Sequence, residues 1–272
     1  MILYRYLNAE YSLQLLQTKT WKVSRLLELN DPADCQPMLT GAPCQQDDEA
    51  QERFTRKYLS DFHQNIGMIS FSSQISDPVL WSHYADSHRG IAIGFEVPNT
   101  SPQIQQVKYS NDRPAIDFEE AEKLRINGLP TDEFVMKIIT EGFSQKAKSW
   151  EYEQEYRKFV YLNRCKMVGS HYFEEKISPS YVVLGFRCTI TEEDIKRLFA
   201  KMSLPIGRKV VRARFDNKRY TLLVPDAFQS AVRLNFQPPA SIEANKDISD
   251  DDTCSTPLSH IANQSQTPNS GS

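Results

Sequence analysis

Long apolar runs, paired cysteines and an excess of one charge are all absent from this sequence. No apolar segment approaches the roughly 20 residues that a membrane-spanning helix needs. Residues 1–5 lead straight into a strand-like pattern, so we expect no signal peptide and a cytoplasmic protein. The formal net charge is −3 with both signs interspersed, so charge alone does not indicate binding to nucleic acid or to a membrane surface.

Cysteine pairing and the common catalytic signatures are also missing. The cysteines are odd in number and have neither C-x-x-C nor zinc-site spacing, which favours free thiols. The sequence contains no Walker loop, G-x-G-x-x-G, H-E-x-x-H or nucleophile elbow, and no internal repeat. The five cysteines are Cys35, Cys44, Cys165, Cys188 and Cys254.

The periodicity of the apolar residues predicts an α+β fold. Alternation with a period of two predicts strands, and apolar residues three or four apart predict amphipathic helices. The first strand carries Arg5, which needs a partner if it is buried. The predicted strands cover residues 2–7, 21–24, 68–72, 158–162 and 181–186, the predicted helices cover residues 8–17, 49–63, 131–148 and 191–202, residues 38–48 form a surface loop, and residues 209–215 and 219–224 form a hairpin.

These elements form one domain in our interpretation. We predict an α+β domain over residues 1–236, with a mixed or split β-sheet flanked by helices. From residue 237 the sequence turns to Pro, Ser, Asn, Asp and Thr with few large apolar residues. Such a segment cannot bury enough apolar surface to offset the entropy lost on ordering, so residues 237–272 are predicted to be a disordered tail.

The chain is organised around residues 77–97, whose pattern is typical of a helix, a turn and a strand. Asp77 is a good N-cap, and Pro78 suits the first helical position because its missing N–H costs nothing there. Gly90 is expected to end this helix.

The strand after Gly90 has two different faces. Large apolar residues occupy one face, and Ala92, Gly94 and Glu96 occupy the other. Two small residues beside a carboxylate predict the close approach of a ligand or of another backbone. The alternative interpretation is a helix that packs over Ala92 and Gly94.

A second dense motif covers residues 148–157. Its alternating charged residues are Glu151, Glu153, Glu155 and Arg157. In an extended chain these four side chains point the same way. Because Arg157 precedes an apolar strand, we expect it to be partly buried and paired with Glu153 or Glu155. The alternative is an ion pair that only stabilises the fold.

Several short motifs together resemble a known family. They are Leu3-Tyr-Arg-Tyr6, Asn30-Asp31-Pro32, Phe71-Ser72, Trp-Ser-His-Tyr-Ala-Asp-x-His-x-Gly at residues 81–90, Trp-x-Tyr-Glu-x-Glu-Tyr-Arg at residues 150–157, and Leu184-Gly185. On these motifs, residues 2–224 resemble the bacterial uncharacterised-domain family numbered twenty-nine seventy-one. The chain departs from that family at Ala33 and Asp34, where an aromatic or acidic pair is common. This resemblance implies no activity.

The order of the elements is also similar to that of ADP-ribosyltransferase-like proteins, which include DNA-modifying toxins and RNA 2′-phosphotransferases. In those proteins a basic residue on the first strand and a later serine strand hold NAD, and a late glutamate acts at the ribose. The resemblance implies these roles for Arg5, for Ser70 or Ser72, and for Glu153 or Glu155. These residue types suit the chemistry of NAD. A guanidinium binds phosphate through two hydrogen bonds, and a carboxylate stabilises the oxocarbenium-like centre that forms as the nicotinamide bond breaks.

These considerations define a set of candidate site residues. Residues 81–90 have no counterpart in the ADP-ribosyltransferase scheme, which indicates an acceptor site or a different chemistry.

The candidate catalytic residues are Glu153, Glu155, Tyr84 and His83, and the candidate cofactor-binding residues are Arg5, Tyr6, Ser70, Ser72 and Arg157.

The leading hypothesis is an ADP-ribosyltransferase-like enzyme that uses NAD, with a role as a phage-defence or toxin effector. Its partners would be a small-molecule nucleotide and an acceptor that is a nucleic acid or a protein, without a membrane. The first alternative is a non-catalytic binding or regulatory module. The second is a metal-dependent nuclease or hydrolase, although no ligand spacing supports it. Its residues would be Glu96, Glu153, Glu155, His83 and His88.

The composition of the predicted tail leads to a test by truncation. We expect that ending the chain near Pro239 leaves the melting temperature unchanged, because the removed residues contribute little buried apolar surface. Thermal unfolding of the truncated and full-length proteins checks this. A clear drop in melting temperature would show that the tail docks on the domain.

Overall fold

The computed structural model of the protein describes residues 1–43, 47–98, 104–175, 178–202 and 209–225. Helices and strands both occur, and the main sheet is mixed, so the α+β prediction is confirmed. The α-helices are α1 (Ala9–Thr18), α2 (Asp48–Tyr58), α3 (Ser60–Asn65), α4 (Pro78–Tyr84), α5 (Phe118–Lys123), α6 (Asp132–Lys137) and α7 (Glu192–Lys201). Leu26–Glu28, Lys148–Glu153 and Leu162–Arg164 are 3₁₀ helices, and Ile138–Phe143 is a π-helix.

The strands vary widely in length. They are β1 (Ile2–Leu7), β2 (Thr20–Arg25), β3 (Met38–Thr40), β4 (Ile66–Ser72), β5 (Ile91–Glu96), β6 (Ile104–Gln106), β7 (Lys108–Ser110), β8 (Ala115–Asp117), β9 (Arg125–Ile126), β10 (Leu129–Pro130), β11 (Gln145–Ala147), β12 (Glu155–Tyr161), β13 (Lys166–Val168), β14 (His171–Glu175), β15 (Tyr181–Leu184), β16 (Lys209–Arg212), β17 (Arg214–Phe215) and β18 (Leu222–Leu223).

Ten strands in the described ranges form one sheet. Its main path runs β13-β14-β2-β4-β1-β5-β15-β16, β12 pairs with β4, and β6 pairs with β12. The β15–β16 pair is parallel and the other pairs of this sheet are antiparallel. The predicted mixed sheet is therefore confirmed.

Strand β4 is the point where the sheet divides. Along one edge it pairs with β12 over its full length. The other edge is shared, because β2 pairs at Gly67 and Met68 while β1 pairs at Ser72. Strands β1 and β2 therefore separate beside Ser70. This gap positions the candidate site.

Apolar side chains form three cores around the sheet. One face packs against α1 and α7, and the opposite face of β1 and β5 packs against α4. The third core lies where the first half of β4 meets α3, α6 and the π-helix. Burial of this apolar surface is the main favourable contribution to folding.

Helix α4 begins as the sequence predicts. The Asp77 side chain accepts from the Val79 amide, and Pro78 is the first helical residue. Trp81 is fully buried, and its indole N–H donates to the Ile75 carbonyl at 2.7 Å. Its ring meets the Tyr6 ring edge-on, with 5.1 Å between the centroids. The helix is therefore anchored to β1 by apolar packing and by a buried hydrogen bond.

The predicted end of this helix is corrected by the structure. The helix ends at Tyr84, and the next turn includes three residues with positive φ, from Asp86 to His88. Gly90 serves a different purpose, because a Cβ atom there would lie 2.1 Å from the Leu7 carbonyl oxygen. A residue without a side chain is required at position 90, because the backbone there lies against the backbone of Leu7.

The second face of β5 is buried rather than open to a ligand. Ala92 lies in the same core as Trp81. A Cβ atom at Gly94 would lie 3.0 Å from the ring of Tyr4. The alternative of a helix packed over this face therefore holds at Ala92, whereas Tyr4 and Tyr181 cover Gly94, and side chains of the protein fill the space expected for a ligand. Of the three residues on that face, only Glu96 is exposed.

Several other boundaries differ from the sequence prediction. The helix predicted over residues 49–63 breaks at Leu59, which is fully buried. The helix predicted over residues 131–148 ends as the π-helix, and the chain then forms β11. The predicted loop over residues 38–48 contains β3, which pairs in parallel with β8. Long-range pairing overrides local propensity in these segments.

The predicted hairpin over residues 209–224 is only partly correct. Strand β16 instead pairs in parallel with β15, and the hairpin is limited to β17 and β18.

None of the helices that the structure describes is long and apolar enough to cross a membrane. Cys35, Cys165 and Cys188 are free thiols as predicted. Cys44, Cys254 and the predicted tail lie outside the described residues.

The contact at Gly90 gives a test of the turn. We expect Gly90→Ala to destabilise the protein by about 3 kcal/mol, the upper end of overpacking costs, because the methyl group meets backbone that cannot shift easily. Denaturant unfolding measures the change. In the control Gly128→Ala the new Cβ meets nothing within 4 Å, so only the left-handed backbone costs about 1–2 kcal/mol. Equal losses in the two variants would contradict the close approach.

Candidate active site

A cleft of about 270 Å³ opens where β1 and β2 separate. Its walls come from β1, β4, α4, residues 28–34 and residues 146–155, which end at the start of β12. Most of the sequence-predicted residues meet there, whereas His83 and Arg157 are not among the residues that line it. The predicted residues that line the cleft are Arg5, Tyr6, Ser70, Ser72, Tyr84, Glu153 and Glu155.

Arg5 is a cation of this cleft without a carboxylate partner among the described residues. One guanidinium nitrogen, Nη2, donates to the Lys22 carbonyl at 2.8 Å, and the group lies 5.5 Å from the centroid of the Trp21 ring. The other nitrogen, Nη1, is inaccessible to solvent and has no hydrogen-bond partner. Burial lowers the pKa of Arg5 to about 10, so it remains charged at neutral pH. An unpaired buried donor of this kind is suited to an anionic ligand.

Arg157 lies behind the cleft and is completely buried. Its Nη1 and Nη2 donate to the two carboxylate oxygens of Asp34 at 2.8 and 2.7 Å. Its Nε and Nη2 donate to the two oxygens of Glu155 at 3.0 and 2.8 Å. The predicted burial and pairing are therefore confirmed, with Glu155 as the nearer predicted partner. Two bidentate pairs fix the positions of both carboxylates.

Lys146 connects the carboxylates that face the cleft. Its ammonium nitrogen lies 2.6 Å from Glu153, 3.4 Å from Glu155 and 3.8 Å from Asp34. The Tyr84 hydroxyl donates to the other oxygen of Glu153. Glu153 is therefore held from two sides by Lys146 and Tyr84, and its carboxylate forms part of the cleft wall.

The two glutamates have opposite electrostatic environments. Burial raises the pKa of Glu153 above its usual value, against the opposing effect of Lys146. Burial also acts to raise the pKa of Glu155, but Arg157, Lys146 and Ser70 together outweigh it, and the net result is a lowered pKa. Two neighbouring carboxylates whose pKa values are shifted in opposite directions are typical of sites that divide acid and base roles. Glu153 is the one whose affinity for a proton is raised.

The charges around Glu153 do not balance. Asp34, Glu153 and Glu155 supply three carboxylates, and Lys146 and Arg157 supply two cations. With all five groups ionised, one negative charge is in excess at this part of the cleft wall. Arg5 contributes an unpaired positive charge to the same cleft.

The two serines of β4 have different positions. Ser70 is exposed in the gap between β1 and β2, and its hydroxyl bonds to Glu155 and favours the ionised form. Ser72 is buried, donates to the Glu153 carbonyl at 2.5 Å and accepts from the Gln74 amide at 2.9 Å. Tyr6 also bonds to residue 74, through its hydroxyl. Ser72 and Tyr6 therefore shape the cleft by fixing its backbone.

Three residues singled out from the sequence lie elsewhere. His83 is exposed, and its Nδ1 lies 3.0 Å from the Tyr152 hydroxyl. His88 bonds to Ser82, and Glu96 accepts from Tyr181. The described residues include no group of three or more His, Cys, Asp or Glu positioned to hold a metal ion. The metal-site alternative therefore has no ligand cluster in that part of the chain.

The motif over residues 148–157 is extended only from Glu155, where β12 begins, and not over its first part as the sequence suggests. Residues Lys148–Glu153 form a 3₁₀ helix, and Gln154 takes a left-handed conformation with φ of 42°. Glu151 is exposed and pairs with Lys148. The change of conformation separates Glu151 from the buried glutamates.

Sequence reasoning missed two members of the site, Asp34 and Lys146. Asp34 follows the Asn-Asp-Pro motif, and Lys146 comes two residues before the second motif. Proximity to these motifs was the available signal. Both side chains are buried, which is rare for charged residues unless they are paired.

The buried position of Arg157 gives a test of the cluster. We expect Arg157→Met to cost about 3–5 kcal/mol, because Asp34 and Glu155 lose their buried counter-ion. In contrast, Arg53→Met removes only an exposed ion pair with Glu49 and should lower the free energy of unfolding by less than about 1 kcal/mol. Chemical denaturation at pH 7 measures both changes. A near-neutral result for Arg157→Met would show that the cluster does not depend on it.

The pH dependence of this loss has a defined sign. Because the folded-state pKa of Glu155 is lower than its usual value of 4.5, its contribution to stability is present above pH 4.5. That contribution is lost as the pH falls through the folded-state pKa. We therefore expect the stability difference between wild type and Arg157→Met to shrink below pH 4.5.

Comparison with known proteins bears on the motifs that build this cleft. No curated protein and no solved structure matches the chain. These searches add no support for the resemblance to ADP-ribosyltransferase-like proteins. Residues 80–158 contain Tyr84, Lys146, Glu153 and Glu155. This segment matches the family described as protein of unknown function (DUF2971), which supports the resemblance to the uncharacterised family.

Proposed function

We propose that the protein is an ADP-ribosyltransferase-like enzyme that binds NAD in the cleft and transfers ADP-ribose to an acceptor. One observation carries the proposal. The unpaired guanidinium of Arg5 and the carboxylate of Glu153, within a cluster that has excess negative charge, line the same cleft.

This charge arrangement matches the charges of NAD. The pyrophosphate of NAD is anionic and the nicotinamide ring is cationic. Arg5 supplies positive charge for the pyrophosphate, and the excess negative charge beside Glu153 favours the ring and the positive charge that develops on the ribose. A ligand with only one sign of charge would leave one of these two groups uncompensated.

The chemistry requires one bond to break and one to form. The glycosidic bond between the ribose carbon and the nicotinamide nitrogen breaks, and its electron pair leaves with nicotinamide. A nucleophile of the acceptor bonds to the same carbon and releases its proton to solvent. Glu153 stabilises the oxocarbenium-like centre between these events.

The surrounding residues divide into chemical and positioning roles. Glu153 is assigned the catalytic role because its carboxylate is held by Lys146 and Tyr84 rather than by a bidentate arginine. Glu155 has both oxygens on Arg157, so it is assigned to the structure of the cluster. A pre-positioned carboxylate needs no rearrangement when charge develops.

A non-catalytic nucleotide-binding module is the second candidate. Both cleft glutamates have internal partners, as they would in a cluster that only maintains the fold. Such a module would bind the nucleotide without releasing nicotinamide. The release of nicotinamide therefore separates the two functions.

Glu153 provides the decisive test of catalysis. We expect Glu153→Gln to keep the fold and to lower nicotinamide release by about a hundredfold, because the amide keeps the shape but loses the charge. NAD consumption is measured with and without nucleic-acid and protein acceptors. We also expect the wild-type rate to fall as the pH drops through the raised pKa of Glu153, because protonation removes the same charge.

The chain offers a matched control for this substitution. Glu151→Gln removes an exposed carboxylate two residues away, outside the cleft, and should leave the rate unchanged.

Arg5→Lys should weaken NAD binding, because an ammonium cannot reproduce a bidentate contact. If the folded wild-type protein binds NAD without releasing nicotinamide, the binding module is correct. If it does not bind NAD either, the transferase proposal is wrong.

A further inference from the structure

A second cavity of about 280 Å³ lies beside the cleft, between α1 and strands β1, β2 and β14. Arg5 and Leu7 line both spaces, so the cleft and the second cavity are neighbouring lobes that share a wall. The role of the second cavity is not explained by the cluster around Glu153.

The nitrogen-bearing side chains of the second cavity are suited to an anion. Lys22 and His171 join Arg5 in its lining, whereas the Thr18 hydroxyl donates to the Gln14 carbonyl and is bonded to the Thr20 hydroxyl. No carboxylate is among the described side chains that line it. The Arg5 guanidinium adds positive charge that no carboxylate among the described residues compensates, and its buried Nη1 has no hydrogen-bond partner.

The remaining lining is apolar or aromatic. Leu15 and Phe173 contribute buried or partly buried apolar surface, and Tyr11 lies against the Lys22 ammonium, 5.7 Å from ring centroid to nitrogen. A ligand that fits this lining combines a flat or apolar part with an anionic group. A nucleoside phosphate has this composition.

The size of each lobe fits part of a dinucleotide. Ligand sites usually measure about 300–1,000 Å³. The cleft and the second cavity, at about 270 and 280 Å³, each lie just below that range. Either lobe alone suits half of a dinucleotide, and both together suit the whole molecule.

From these observations we infer that the second cavity is the subsite for the adenylate half of the ligand, with its phosphate held by Lys22, His171 and Arg5. The inference rests on the proposed function in taking the ligand to be NAD. The nicotinamide end then lies in the cleft beside Glu153, and Arg5 lies between the two halves. Lys22 and His171 bind the ligand and take no part in the bond-breaking step.

Binding of nucleotide fragments tests this subsite without any need for catalysis. Isothermal titration with ADP and adenosine is carried out on the wild type, Lys22→Gln, His171→Gln and the control Lys57→Gln, which removes an exposed charge from α2. We expect Lys22→Gln to weaken ADP binding roughly tenfold or more, because it removes a charge-assisted contact. Adenosine binding should not change, because adenosine lacks phosphate. Lys57→Gln should behave as the wild type.

Each outcome decides the inference. A loss of ADP affinity in Lys22→Gln or His171→Gln, with unchanged melting temperature and a wild-type response to adenosine, supports it. Failure of ADP to bind the wild type, or an ADP affinity equal to that of the wild type in both variants, overturns it. If Lys22→Gln does not fold, His171→Gln supplies the comparison.

The same experiment separates this inference from the proposed function. ADP binding that depends on Lys22, without nicotinamide release, would keep the subsite and reject the transferase. Nicotinamide release from NAD with an unchanged KM in Lys22→Gln and His171→Gln would keep the transferase and reject the subsite.

Discussion

The ion pairs of Arg157 are the interaction on which the candidate site depends. A guanidinium with no exposed surface costs free energy to desolvate, and it is stable here because Asp34 and Glu155 each bind it with two oxygens. These contacts join β12 to the loop before β3. They also bring Asp34 beside Lys146, which in turn holds Glu153. Removing one charge would therefore disturb the whole wall of the cleft.

The division of the sheet at β4 supplies the space in front of this cluster. A continuous ladder between β1 and β2 would fill the region beside Ser70 with backbone hydrogen bonds. Because β2 pairs with the beginning of β4 and β1 with its end, the strands leave a gap there. Arg5 lines the cleft at that gap and its buried Nη1 has no hydrogen-bond partner, while the carboxylates lie beyond β4. Because β1 and β2 do not pair there, a ligand in the gap can contact both the positive charge of Arg5 and the negative charge of the carboxylates.

The motif over residues 81–90 links packing with the site. Trp81 fixes α4 on the sheet, and Gly90, which ends the motif, allows the end of the turn to approach β1. Tyr84 projects from the same helix to Glu153. His83 lies at the neighbouring position but is exposed, since adjacent residues on a helix point in different directions. The motif thus contributes Tyr84 to the cleft and uses Trp81 and Gly90 to hold the helix and the turn against the sheet.

The sequence by itself determined the local elements and the chemical character of the site. The cap at Asp77, the strand that carries Arg5, and the burial of Arg157 among glutamates all follow from nearby residues. Only the tertiary structure decided that Asp34, 123 residues from Arg157 along the chain, is its partner, and that Lys146 joins the cluster. It also decided where the sheet divides. Local patterns report propensity and burial, whereas pairing between distant segments depends on how the whole chain packs.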